Sequence, residues 1–109
     1  MAIYQQKRDD PESAQLRRDG GAWLKTMREK AGHTQRSFAA VVGADYYTFI
    51  SQIENGRGRV PPERYGVWAD ALGMDRREFM RRLMRFYDPH AYEMLFAPVV
   101  ANSGSTKAE

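Results

Sequence analysis

The 109-residue chain contains no cysteine, which excludes a disulfide framework, a cysteine nucleophile and any thiolate-bound zinc or iron–sulfur centre. Its only histidines are His33 and His90, too few to build a histidine metal site; both read as ordinary surface residues, one in a turn and one at a helix start. Long apolar runs are missing as well. The longest uncharged stretch, residues 94–106, has 13 residues, short of the roughly 20 that a membrane-spanning helix needs. Residues 1–10 lack the apolar core of a signal peptide, so a cytoplasmic, nucleoid-associated location is expected. No run of alternating β-branched residues predicts a strand. No glycine-rich phosphate cradle, nucleophile elbow or metal-ligand spacing occurs. Catalysis, a cofactor and a metal are therefore not expected, and neither is a membrane.

What is present suits one small globular domain. Hydrophobic residues make up 42% and charged ones 28% of the chain, a balance too apolar for a disordered polypeptide. The formal net charge is +3, and it is unevenly spread. Residues 13–87 carry 14 of the 17 basic side chains against 8 of the 14 acidic ones, so the excess sits in the part that reads as folded. Thirteen of the 17 are arginine, whose planar fork suits phosphates and base edges. An arginine-heavy basic domain is the usual footprint of a nucleic-acid binder, although solvated helix faces give the same composition. The expected organisation is a flexible segment 1–12, a folded domain 13–87, then a short C-terminal helix and a disordered tail over 88–109.

Helical periodicity governs residues 13–96. Leu16, Trp23, Leu24, Met27 and Ala31 fall on one face of a first segment. Gly20 and Gly21 interrupt it at about 1 kcal/mol each relative to alanine, which allows one long helix or two pieces and favours a main helix from about Ala22 with uncertain structure before it. Thr34 caps a second helix carrying Phe38, Ala39 and Val42, closed by Gly43. Asp45 is the expected cap of a third, with Ile50 and Ile53 inward and Phe49 flanking. Residues 55–62 are loop by composition. Pro62 suits the first position of a fourth helix with Tyr65, Trp68, Ala69 and Leu72 inside and Gly73 as its stop. Asp75 with Glu78 makes a capping box for a fifth through Phe79, Leu83, Phe86 and Tyr87, and Asp88 caps a short sixth that ends near Phe96. The fold is expected to be all-α, a compact bundle of five short helices plus a short C-terminal one.

Residues 34–61 carry the functional signal. Two short helices lie a few residues apart around Gly43, with the small Ala39 on an inner face where helices cross closely. The outer side of the second is polar and uncharged: Tyr47, Thr48, Ser51, Gln52 and Asn55. A helix about 10–12 Å across fits the major groove of B-DNA. Leu24, Met27-Arg28, Thr34-Gln35, Phe38-Ala39, Val42-Gly43, Ile50, Ile53-Glu54-Asn55-Gly56, Ala69 and Leu72-Gly73, in this order and spacing, resemble the lambda-repressor-like (Cro/cI-type, XRE) helix-turn-helix domain. That resemblance implies a sequence-specific regulator, most simply a repressor, binding a two-fold operator in double-stranded DNA as a homodimer. It further implies a structural salt bridge between Arg28 and Glu54. Tyr47, Thr48, Ser51 and Gln52 would read bases, while Gln35, Arg36, Asn55, Arg57 and Arg59 would touch the DNA backbone. The alternatives are an antitoxin-type autoregulator and a helix-turn-helix interaction module that does not bind DNA. Residues 46–52 contain no acidic side chain, which favours DNA.

One departure from the family pattern stands out. Residues 44–54 number eleven where the pattern has ten, so either the turn holds an extra residue or the third helix starts early at Asp45. Three further features read two ways. At least one of Tyr46, Tyr47 and Phe49 is expected in the core. Arg76, Arg77, Arg81, Arg82 and Arg85 form a solvated helix face or a second phosphate surface, with RNA polymerase a partner they would allow. The methionines and aromatics of 74–96 are core or a dimer seam.

Overall fold

A computed structural model describes residues 10–96; the N-terminal segment before them and the C-terminal tail lie outside the described residues. Six α-helices and one 3-10 turn make up this region, with no strand among the described residues: α1 (Pro11–Lys30), α2 (Gln35–Val42), α3 (Tyr47–Glu54), the 3-10 turn Pro62–Arg64, α4 (Tyr65–Leu72), α5 (Arg76–Tyr87) and α6 (Pro89–Phe96). The fold is all-α. None of these helices is long and apolar enough to cross a membrane.

The core gathers one stripe from each of the first five helices. Leu24 of α1, Phe38, Ala39 and Val42 of α2, and Ile50 and Ile53 of α3 meet Val60, Trp68, Ala69 and Leu72, and Phe79 and Leu83 of α5. Phe38 and Trp68 pack edge-on with centroids 5.0 Å apart, and Tyr65 meets Phe79 in the same way at 5.9 Å. Edge-to-face contacts add about 0.5–1.5 kcal/mol each to the burial of the rings. α6 contributes no buried residue; it rests on α5, leaving Met94 and Leu95 88% and 65% exposed.

Five features differ from the sequence reading. First, α1 does not begin at Ala22. It starts at Pro11, where the Asp10 carboxylate accepts the Ser13 N–H at 3.1 Å, and runs unbroken through both glycines, which are buried. Second, Asp45 is not the cap of α3. Tyr46 holds the N-cap position in extended backbone with no side-chain cap, so the extra residue lies in the turn. Third, Pro62 opens a 3-10 turn rather than α4 itself. Fourth, none of Tyr46, Tyr47 and Phe49 enters the core; they remain 74%, 39% and 41% exposed. Fifth, at the start of α5 only half of the expected capping box forms: Asp75 accepts the Glu78 N–H, while the Glu78 carboxylate turns to Arg81 and Arg82.

Candidate nucleic-acid interface

The helix before the turn, α2, is fixed at both ends. Thr34 Oγ1 accepts the Ser37 N–H and Ser37 Oγ accepts the Thr34 N–H, both at 3.0 Å, a reciprocal cap that starts α2. Gly43, at φ 76°, ends it in the left-handed region, with the Ala44 N–H returning to the Ala39 carbonyl. The Val42 carbonyl accepts from Arg64 Nη1 at 3.0 Å, tying the turn to the segment before α4.

Buried charge then locks α3 to α1. Arg28 Nε and Nη2 donate to the two Glu54 oxygens at 2.6 and 3.1 Å, with both side chains almost wholly out of water. Gln35 Nε2 adds a third bond to Glu54 at 3.0 Å, and Arg28 Nη1 reaches the His33 carbonyl at 2.7 Å. The bidentate pair is thus satisfied on several sides, the condition under which a buried ion pair offsets its desolvation. One network joins α1, the start of α2 and the end of α3.

Backbone closeness supplies the second lock. A Cβ on Gly21 would lie 2.3 Å from the Glu54 carbonyl oxygen, and one on Gly20 would lie 2.9 Å from the Phe86 Cβ. The end of α3 and the side of α5 press onto α1 where its side chains vanish. Gly56, at φ 80°, closes α3 with its N–H on the Ile53 carbonyl and that of Arg57 on the Gln52 carbonyl. It also touches α1, since a Cβ there would sit 2.9 Å from the Arg18 Cα. Sequence reasoning scored the glycine pair only as helix breakers. The signal that could have found its role is an uninterrupted apolar stripe on both sides of the pair.

With Ile50 and Ile53 buried, the opposite side of α3 faces solvent. Thr48, Gln52 and Asn55 are exposed and Ser51 is half-buried. Tyr47 lies at the edge of this face, with the Arg36 guanidinium 4.3 Å from its ring centroid, so the two form one unit at the junction of α2 and α3. Arg28, Thr34, Gln35, Arg36 and Tyr47 line an open notch beside the start of α2. One amide proton of Gln35 is committed to Glu54, which leaves the other. Arg57 is exposed on the turn after α3.

Arg59 is placed apart from this group. Its guanidinium bonds Asp88 at 3.2 Å and the Tyr65 hydroxyl at 3.3 Å, and it lies 4.5 Å from the Tyr87 centroid. Burial alone would lower its pKa, but the bonds to Asp88 and Tyr65 more than offset this and raise it. Beneath it, burial pushes the Tyr87 hydroxyl up to about 12, against the opposing pull of the Val60 N–H it accepts. The arginines of α5 are largely occupied within the molecule: Arg76 pairs with Asp70, Arg81 and Arg82 with Glu78, and Arg82 also lies over Trp23. Along the other flank of α3, Val42, Ala44, Tyr46, Phe49, Pro61 and Trp68 line a shallow, mainly apolar groove bordered by Asp45, Glu63 and Arg64.

No curated protein sequence matches the chain. A family model described as a helix-turn-helix domain does match, over residues 21–88. The match begins at the glycine beneath Glu54 and ends at the aspartate that holds Arg59. It takes in more than half of the sequence, and the chain belongs to the helix-turn-helix domain family.

Proposed function

We propose that the protein is a sequence-specific regulator of the lambda-repressor-like type. It lays the outer face of α3 in the major groove of duplex DNA. The observation that carries this reading is the two-sidedness of α3. Its inner side is held by Ile50, Ile53 and the buried Glu54, while its outer side offers Thr48, Gln52 and Asn55 to solvent without a single charge. An uncharged polar face can exchange water for base edges at little desolvation cost, and Gln52 can pair bidentately with adenine. Thr48, Ser51 and the ring of Tyr47 complete the reading face. Arg36, the free amide proton of Gln35, Asn55 and Arg57 flank it at the level of the phosphates. Arg59, held by Asp88, would join them only by giving up that pair.

In this reading the unit over 13–87 binds DNA. The segment from 88 onward adds contacts between two copies, so that the homodimer meets a two-fold operator and represses by occupying it. No reaction is assigned to it. The apolar groove beside Phe49 supports a second reading, a helix-turn-helix interaction module that grips another protein and does not bind DNA. Selection from a random duplex pool followed by footprinting separates the two. The DNA reading expects a recovered palindrome with half-sites about 34 Å apart. Recovery of no preferred duplex at physiological ionic strength sinks it and leaves the groove as the functional surface.

A further inference from the structure

We infer that Arg18, in the first half of α1 and outside the matched domain, is a DNA phosphate-contacting residue that works beside Arg57. The inference rests on the DNA-binding reading above and adds to it a contact from the part of α1 that precedes residue 21.

Three observations place Arg18 there. Its backbone is rooted against the turn that ends the reading helix: a Cβ on Gly56 would lie 2.9 Å from both the N and the Cα of Arg18 and 2.8 Å from its Cγ. Three residues further along α1, Gly21 meets the Glu54 carbonyl. Residues 18 and 21 share a helix face, so the register of α1 against α3 is fixed at two points and Arg18 cannot swing away as a frayed end would. Finally, its guanidinium touches no carboxylate directly among the described residues. Arg28, Arg59, Arg76, Arg81 and Arg82 all lie against carboxylates. Exposed Arg18 instead donates from Nη2 to the neutral Gln15 Oε1 at 2.7 Å. The nearest acid along the helix, Asp19, is itself bonded by Gln15 Nε2 at 2.8 Å. Gln15 thus bridges the two side chains through its neutral amide, and Arg18 makes no direct ion pair among the described residues.

A helix docked by its outer face presents the turn at its C-terminal end to the backbone bordering the groove; Arg57 lies in that turn, and Arg18 packs against its Gly56. A guanidinium with most of its N–H donors free beside a phosphate makes a charge-assisted contact and displaces about one condensed counterion. The contact carries no base information, so it strengthens all sequences alike.

The test uses the full chain and the best duplex recovered from a random pool, with affinity titrated at several salt concentrations. Arg18→Ala and Arg18→Gln are each expected to weaken binding roughly ten-fold and to lower the magnitude of the salt slope by about one. Base preference and melting temperature stay unchanged. Arg77→Ala, the same charge change on exposed α5, is expected to leave the slope as it was. A wild-type slope and affinity in Arg18→Ala, alongside a reduced slope in Arg57→Ala, would overturn the inference while leaving the DNA reading intact. If Arg18→Gln keeps the full slope and only Arg18→Ala weakens binding, the side chain acts as packing on Gly56 and the inference also fails. If the unmodified protein prefers no duplex, the broader reading falls first, and this one with it.

Discussion

Glu54 is the residue on which the geometry of α3 turns. Its carboxylate is buried and meets Arg28 twice and Gln35 once. Truncation to alanine strands a buried guanidinium, and breaking a buried pair from one side typically costs about 3–5 kcal/mol. Glu54→Ala is therefore expected to lose that much in denaturant unfolding, and a melting temperature equal to wild type would show that the pair is not holding the helices. Tyr87 offers a test of a different kind. Burial lifts its pKa to about 12 from an ordinary 10.0. A group that holds its proton more tightly when folded gives stability that is whole below pH 10 and is lost as the pH climbs toward 12. Unfolding free energy should fall across that window by an amount on the order of 2 kcal/mol. Tyr87→Phe should show a shallower fall, and identical pH profiles for the two proteins would contradict the burial of the hydroxyl.

Among the helices, what could be read from sequence was whatever repeats with the helical period. Phe38, Ala39 and Val42, then Ile50 and Ile53, then Trp68, Ala69 and Leu72 sit where spacing puts them, because a stripe of apolar residues has nowhere to go but the core. The glycine stops at 43 and 73 were equally visible through their φ preference. What spacing could not reveal was anything set by a neighbour distant in sequence. Gly20 and Gly21 were charged for their poor propensity because nothing nearby in the chain shows Glu54 and Phe86 pressing on them. The capping power of Asp45 went unused because the extra residue was absorbed in the turn. Arg59 carried a phosphate-contact expectation, yet Asp88 sits 29 positions away, beyond the reach of any local pattern. Two glycines make the contrast measurable. Gly21→Ala gains about 1 kcal/mol of helix propensity. It forces a methyl into the carbonyls of Ile53 and Glu54, for a net loss of about 3 kcal/mol or more. Gly66→Ala meets only the guanidinium of Arg76 at 3.1 Å, an exposed side-chain end that can shift together with its partner Asp70, and is expected to stabilise by about 0.5 kcal/mol. Thermal melts of the two variants shifting in the same direction would refute the crossing.

At the scale of the whole molecule, Met94 and Leu95 of α6 stand largely in solvent. A domain of this size gains by burying such surface against a second copy. Sedimentation is expected to give a dimer at tens of micromolar, and Met94→Glu with Leu95→Glu to give a monomer whose circular dichroism is unchanged. A wild-type monomer under those conditions would remove the two-fold operator from the proposal. The crossing at Gly21 has one more outcome. Because α1 grips α3 through a carbonyl, a glycine and a buried ion pair, nothing that fixes the pose of α3 depends on Thr48 or Gln52. Those exposed positions are expected to accept other side chains with little change in melting temperature. In the proposed reading, the molecule is a handle onto which new binding preferences can be grafted while the grip itself stays untouched.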